Sequence, residues 1–156
     1  MPQPYTGNRP PQGSRPQLEA TQLPTPQKVN YFSRAGVMDD ALVDVKAQEW
    51  AERIRDLKST QMRRFFGEVK AIERQVDLAV GQGAEREAAF GAQRARFAML
   101  KAKVLYAKGR LKRDMPDGFV QFVVDHTHSV HSHDEFKAFV KHFEAVVGFH
   151  KFFAKD

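Results

Sequence analysis

From Asp39 onward, apolar residues return every three or four positions, the period of a helix with one buried face. Val43, Ala47, Trp50, Ile54 and Leu57 mark a first helical segment from about Asp39 to Lys58, with Asp39 and Asp40 where carboxylates favour the helix dipole. A second opens at Ser59-Thr60, both good N-cap residues, and continues to about Val80. Phe65, Val69, Ile72 and Val76 line its inner side, and Gly81-Gln82-Gly83 ends it. The third runs from about Ala84 to Lys108, with Phe97, Leu100 and Val104 as its stripe and Gly109 as its expected C-cap. Met115-Pro116-Asp117-Gly118 punctuates the chain before a shorter helix holding Phe119, Phe122 and Val123. The fifth begins near Ser132 or Asp134 and keeps its pattern through Phe136, Phe139, Val140, Phe143, Val146, Val147 and His150. Nothing alternates as a strand would. Short connections favour antiparallel neighbours, so the expected fold class is all-α, a compact bundle of about five helices.

The first 36 residues lack this pattern. Seven of the eight prolines lie between Pro2 and Pro26, among Gln, Gly, Ser and Thr, and few large apolar residues accompany them. Such composition predicts a flexible tail over residues 1–36, with residues 37–156 forming the helical domain. At 156 residues there is room for one domain, and without cysteine there are neither disulfides nor thiolate metal sites. No apolar run reaches the ~18 residues of a membrane span, and the N-terminus has no signal-peptide pattern. The expectation is a soluble, cytoplasmic protein with no membrane partner.

Charge narrows the function. The formal net charge is +6, and Arg94 to Arg113 holds eight basic residues and no acid. On a helix these form two rows of heptad spacing, Arg94/Lys101/Lys108 and Arg96/Lys103/Arg110, flanking the apolar stripe. The second helix adds a row of its own in Arg63, Lys70 and Arg74, interspersed with Glu68, Glu73 and Asp77. Rows of this kind suit phosphate, an anionic membrane or an acidic protein. Membrane binding would require the apolar stripe that the bundle needs for closure. No helix-turn-helix pattern is present. Tyr106, on the outer side with Arg110, has two readings: a base-stacking ring, or a half-buried aromatic with its hydroxyl in water.

Asp125 to Asp134 carries four histidines and two aspartates in DHTHSVHSHD. Such a set can hold a metal whose bound water hydrolyses a phosphodiester, the reading of a histidine-dependent metallonuclease. The competing reading is a polar connection between helices, with Ser132 or Asp134 capping the fifth. No nucleotide loop, catalytic triad or cofactor motif is present, so neither catalytic residue, metal ligand nor cofactor is expected.

Three passages in order carry a family resemblance: STQMRRFFGEVK at 59–70, MLKAKVLYAKGR at 99–110 and FEAVVGFHKFF at 143–153. Together they resemble the small subunit of type III-A CRISPR effector complexes, the Csm small subunit, over most of residues 57–153. The resemblance implies a non-catalytic all-α subunit whose copies stack in a filament beside the backbone subunit that holds the guide RNA. It implies target RNA, guide RNA, the backbone and large subunits and further copies of itself as partners, with cleavage chemistry belonging to other subunits. Arg63, Arg64, Lys70, Lys101, Lys103, Lys108 and Arg110 fall on its motifs as candidate RNA contacts, and Arg74 joins them by helical spacing. The proline-rich tail lies outside the family pattern, and the histidine-rich connection looks expanded relative to it. Phe149 and Phe152, off the fifth helix's core stripe, are candidates for a subunit contact. A basic helical adaptor for an acidic protein is the remaining alternative.

Overall fold

A computed structural model describes Pro2 and residues 22–156. Apart from Pro2, the part of the expected tail before residue 22 lies outside the described residues. The described chain forms a two-stranded antiparallel hairpin, β1 (Phe32–Arg34) and β2 (Val37–Met38), followed by five α-helices. These are α1 (Val45–Arg53), α2 (Ser59–Gly81), α3 (Arg86–Leu111), α4 (Asp117–Ser129) and α5 (His133–Phe153). The all-α class holds, with the small hairpin as an unforeseen addition: Gly36, at φ +75°, makes its turn.

Helix α5 is the hub, packing on α1, α2 and α3. Its phenylalanines reach each neighbour in turn. Phe136 stacks on Phe90 of α3 with centroids 5.1 Å apart, and Phe139 meets Phe97 at 5.6 Å. Phe143 approaches Phe122 of α4 at 5.1 Å and lies parallel to Phe66 of α2 at 5.2 Å. All four expected inner residues of α2 and all three of α3 are buried.

Two helix ends differ from expectation. The first segment is not one helix: a 3-10 turn over Asp40–Val43 gives way to α1 at Asp44, whose φ of −129° and ψ of −106° break the helical path. Leu42 becomes the buried residue and Val43, expected in the core, is 41 % exposed. At the other end, α3 runs through Gly109 to Leu111 and stops at Lys112, which has φ +52°. The extension lets Leu111 pack against the core, and the Lys108 ammonium takes the carbonyls of Lys112 at 3.1 Å and Met115 at 2.8 Å. Helix α2 starts at Ser59 as expected, but its first turn is secured from afar. The Asp156 carboxylate accepts from both the Ser59 amide (2.9 Å) and the Ser59 hydroxyl (3.0 Å).

The boundary at residue 36 also moves. Residues from Thr25 to Tyr31 lie along α4 as an extended strap, stapled by side chains of that helix. The Gln27 amide donates to Asp125 at 2.8 Å, the Val29 amide donates to the Ser129 hydroxyl at 2.8 Å, and the Gln121 amide nitrogen donates to the Thr25 carbonyl at 2.9 Å. Tyr31 anchors the strap, fully buried, with its hydroxyl 2.6 Å from His126 Nδ1. This extended segment has no backbone ladder of its own, so its fixed placement comes from polar groups on the helix beneath it and from the buried Tyr31, which composition does not reveal.

This arrangement dismantles the histidine loop. Asp125 to Ser129 is the end of α4, with Asp125, His126 and Ser129 buried, and only Val130 to Ser132 connects it to α5. Ser132 caps α5 by accepting from the Glu135 amide at 3.1 Å, one of the two caps the sequence suggests. His126 lies in the core with its ring 5.0 Å from that of His142, whose Nδ1 donates to the Leu42 carbonyl. The Nε2 atoms of both rings are buried without a hydrogen-bond partner among the described residues. Burial first, and then the neighbouring His142, holds His126 well below the ordinary histidine pKa; burial also lowers His142, against the pull of its Leu42 bond.

A histidine with a lowered folded pKa is neutral in the fold while the unfolded chain takes up protons below about pH 6.5, so its stabilising effect is present above that value and is lost as pH falls. Thermal melts from pH 7.5 to 5 should show stability dropping below pH 6.5, with His126 contributing about 1 kcal/mol per pH unit. His126→Gln should flatten that dependence, whatever it does to stability at pH 7.5.

Candidate nucleic-acid interface

The basic helix α3 packs against α2 on one side and α4 on the other, and its two rows diverge accordingly. The Arg96/Lys103/Arg110 row turns toward α2. Arg96 donates to Glu68 of α2 at 3.0 Å and Lys103 reaches the same carboxylate oxygen at 3.3 Å. The Arg94/Lys101/Lys108 row turns the other way. Arg94 donates to the His131 carbonyl beyond α4, while Lys108, besides closing the end of α3, pairs with Asp117 at 2.9 Å. The rows share a spacing but not a surface.

Between α2 and α3 lies a groove of about 590 Å³. Arg64 and Glu68 border it from α2, and Lys103, Tyr106 and Arg110 from α3, over a floor that includes Leu100, Ala102 and Ala107. Tyr106 is 71 % exposed, which removes the half-buried alternative for this ring. Among the described residues Glu68 is the one acid that lines the groove, and its charge is already answered. The Arg96 hydrogen bond, aided by Lys103 against the opposing effect of partial burial, holds its carboxyl below the usual carboxylate range.

The eight candidate contacts therefore separate. Arg64, Lys103 and Arg110 come together on the groove. Arg63 and Arg74 are exposed on the outer face of α2, and neither they nor Arg64, Arg110 and the half-buried Lys101 pair with an acid among the described residues. Lys70 is tied to Glu73 at 2.6 Å, and Glu73 in turn receives Lys137 of α5 at 3.0 Å. Burial raises the Glu73 pKa, but these two lysines outweigh it and leave the carboxyl below its ordinary value. Lys108 is committed to its own chain three times over. The sequence did not disclose the apolar part of the groove, to which Ala102 and Ala107 contribute.

Among the described residues no group of three or more His, Cys, Asp or Glu side chains is arranged to hold a metal. His126 is in the core, His131 is exposed, and His133 is buried with its amide donating to Glu87 at 3.1 Å. No helix among the described residues is long and apolar enough to cross a membrane. Phe152 is 83 % exposed, whereas Phe149 is half-buried against the core, so only the first offers a free ring.

Fold and groove define a small helical subunit that presents a cationic, apolar-floored edge. The family model for Csm2 Type III-A matches residues 38–156, and the chain belongs to that family, a structural subunit of the type III-A CRISPR effector. The match begins at Met38, so the strap lies outside it. No curated protein and no solved structure matches the chain.

Glu68→Gln removes the one carboxylate of the groove and releases Arg96 and Lys103. Elution from heparin should then shift to higher salt, with a change of at most about 1 kcal/mol in thermal stability because both ion pairs are partly solvated.

Proposed function

We propose that this chain is a non-catalytic structural subunit of the type III-A effector that holds RNA by its backbone along the α2–α3 edge. The observation that carries the reading is the convergence of Arg64, Lys103 and Arg110 on one groove whose only acid among the described residues is neutralised from within. Guanidinium and ammonium groups at such an edge suit phosphate oxygens and convey position rather than sequence. Arg63 and Arg74 extend the cationic surface outward on α2, Lys101 is a further candidate on the other side of α3, and Lys70 and Lys108 serve the fold first. The partners are the target RNA and the guide RNA with which it pairs, the backbone and large subunits, and further copies of this chain in a filament. Phe152, exposed near the end of α5, is a proposed contact to a neighbouring subunit.

Removing one phosphate-binding cation should reduce the salt dependence of single-strand binding by about 0.7 log units per log unit of salt. The triple variant Arg64→Ala, Lys103→Ala, Arg110→Ala should therefore lower the slope by about 2 and weaken target RNA capture by the assembled effector, with the fold intact by circular dichroism. Lys108→Met should instead lower thermal stability and leave the slope nearly unchanged. An unaltered slope in the triple variant would refute the assignment of the groove to RNA. Salt-sensitive capture of an acidic protein by the same edge, without RNA, would favour the adaptor reading.

A further inference from the structure

Backbone binding asks only for cations, yet the surface between these cations is apolar. Arg64, Lys103 and Arg110 rim a groove in which Met99 is 52 % exposed and Tyr106 71 % exposed. Ala102 and Ala107 leave space beside the Tyr106 ring, which no aromatic or cationic side chain of the described residues covers. The groove volume falls within the roughly 300–1,000 Å³ typical of small-ligand sites. Its place on the helix is specific: Tyr106 lies three residues after Lys103 and four before Arg110, so the ring is flanked by a cation about one turn away on each side.

We propose that the α2–α3 groove takes an unstacked nucleobase of a single-stranded RNA segment, laid against Tyr106 and Met99, while Lys103, Arg110 and Arg64 hold the adjoining phosphates. The proposal rests on the RNA-binding reading above and goes further, since it makes this edge a reader of strandedness. A base inside a duplex is stacked on both faces and cannot lend one to a side chain, whereas an unpaired base can. Charge complementarity selects the occupant: three cations and a neutralised carboxylate suit a ligand that is planar and apolar in one part and anionic in the next. An amphipathic protein helix would supply the apolar part without phosphates for the rim.

The test uses the full chain and three fluorescent probes of equal length and charge per strand: an adenine-bearing RNA 12-mer, the same strand in duplex, and an abasic ribose-phosphate strand. The expected result is tightest binding to the adenine strand. Tyr106→Ala should weaken that binding about five- to a hundredfold with the salt slope unchanged, while leaving the abasic strand unaffected. Ala102→Leu, which fills the groove and keeps every charge, should reproduce the loss, and Tyr106→Phe should retain most of the affinity. Equal binding of adenine and abasic strands, or indifference to both Tyr106→Ala and Ala102→Leu, would overturn the proposal and leave backbone binding standing. Absence of binding to all three probes at low salt would overturn both readings. A change of oligomeric state in Ala102→Leu without a change in RNA affinity would identify the groove as a contact between copies and also overturn it.

Discussion

Phe136, Phe139 and Phe143 stand about one turn apart on α5, and each reaches rings on other helices: Phe90 and Phe97 of α3, Phe122 of α4 and Phe66 of α2. Aromatic side chains contribute large buried areas, and edge-on or offset contacts between them add about 0.5–1.5 kcal/mol per pair. That seam fixes the distance and rotation of α2 and α3 relative to the rest. Rotation of either helix by one residue, about 100°, would take Lys103 away from Glu68 and Arg64 off the groove. The cationic edge is thus a property of the aromatic core beneath it.

Helix periodicity carried most of the fold. The inner residues of α2, α3 and α5 were legible because large apolar side chains at i, i+3, i+4 and i+7 leave one way to close a bundle. The features it did not reveal are set by partners distant in sequence. Val43 keeps the helical period and is exposed nonetheless, because the chain breaks at Asp44 and Leu42 takes the buried place. Gly109 is a good C-cap by type, but Leu111 has core to cover and Lys108 is at hand to satisfy the final carbonyls. The strap residues show no periodic apolar pattern, and they are held by polar side chains of α4 together with the buried Tyr31 and the partly buried Val29.

For the candidate site, spacing singled out α3 as the basic helix, and the fold then distinguishes its lysines by their partners. Lys101, Lys103 and Lys108 look alike in a heptad diagram. In three dimensions one lacks an ionic partner among the described residues, one shares a carboxylate with Arg96, and one closes a helix end. A cation's availability depends on the nearest carbonyl or carboxylate, which belongs to another helix and has no trace in local sequence. The histidines teach the same lesson in reverse. His126 stands in a run that looks like a polar loop, but Phe122 and Phe139 surround it, with centroids at 4.5 and 4.8 Å, and it belongs to the core.

Three polar staples join points far apart along the polypeptide: Tyr31 with His126 at a separation of 95 residues, Leu42 with His142 at 100, and Ser59 with Asp156 at 97. The turn between α2 and α3, by contrast, spans a handful of residues around Gly83. Closing short loops costs less chain entropy and occurs sooner than closing long ones. During synthesis on the ribosome the α2–α3 hairpin is complete before any of the three staples has its second member. The α2–α3 edge is therefore the first part of each molecule able to fold, and the N-terminal strap, although made earlier, waits for α4 to emerge before it finds its place.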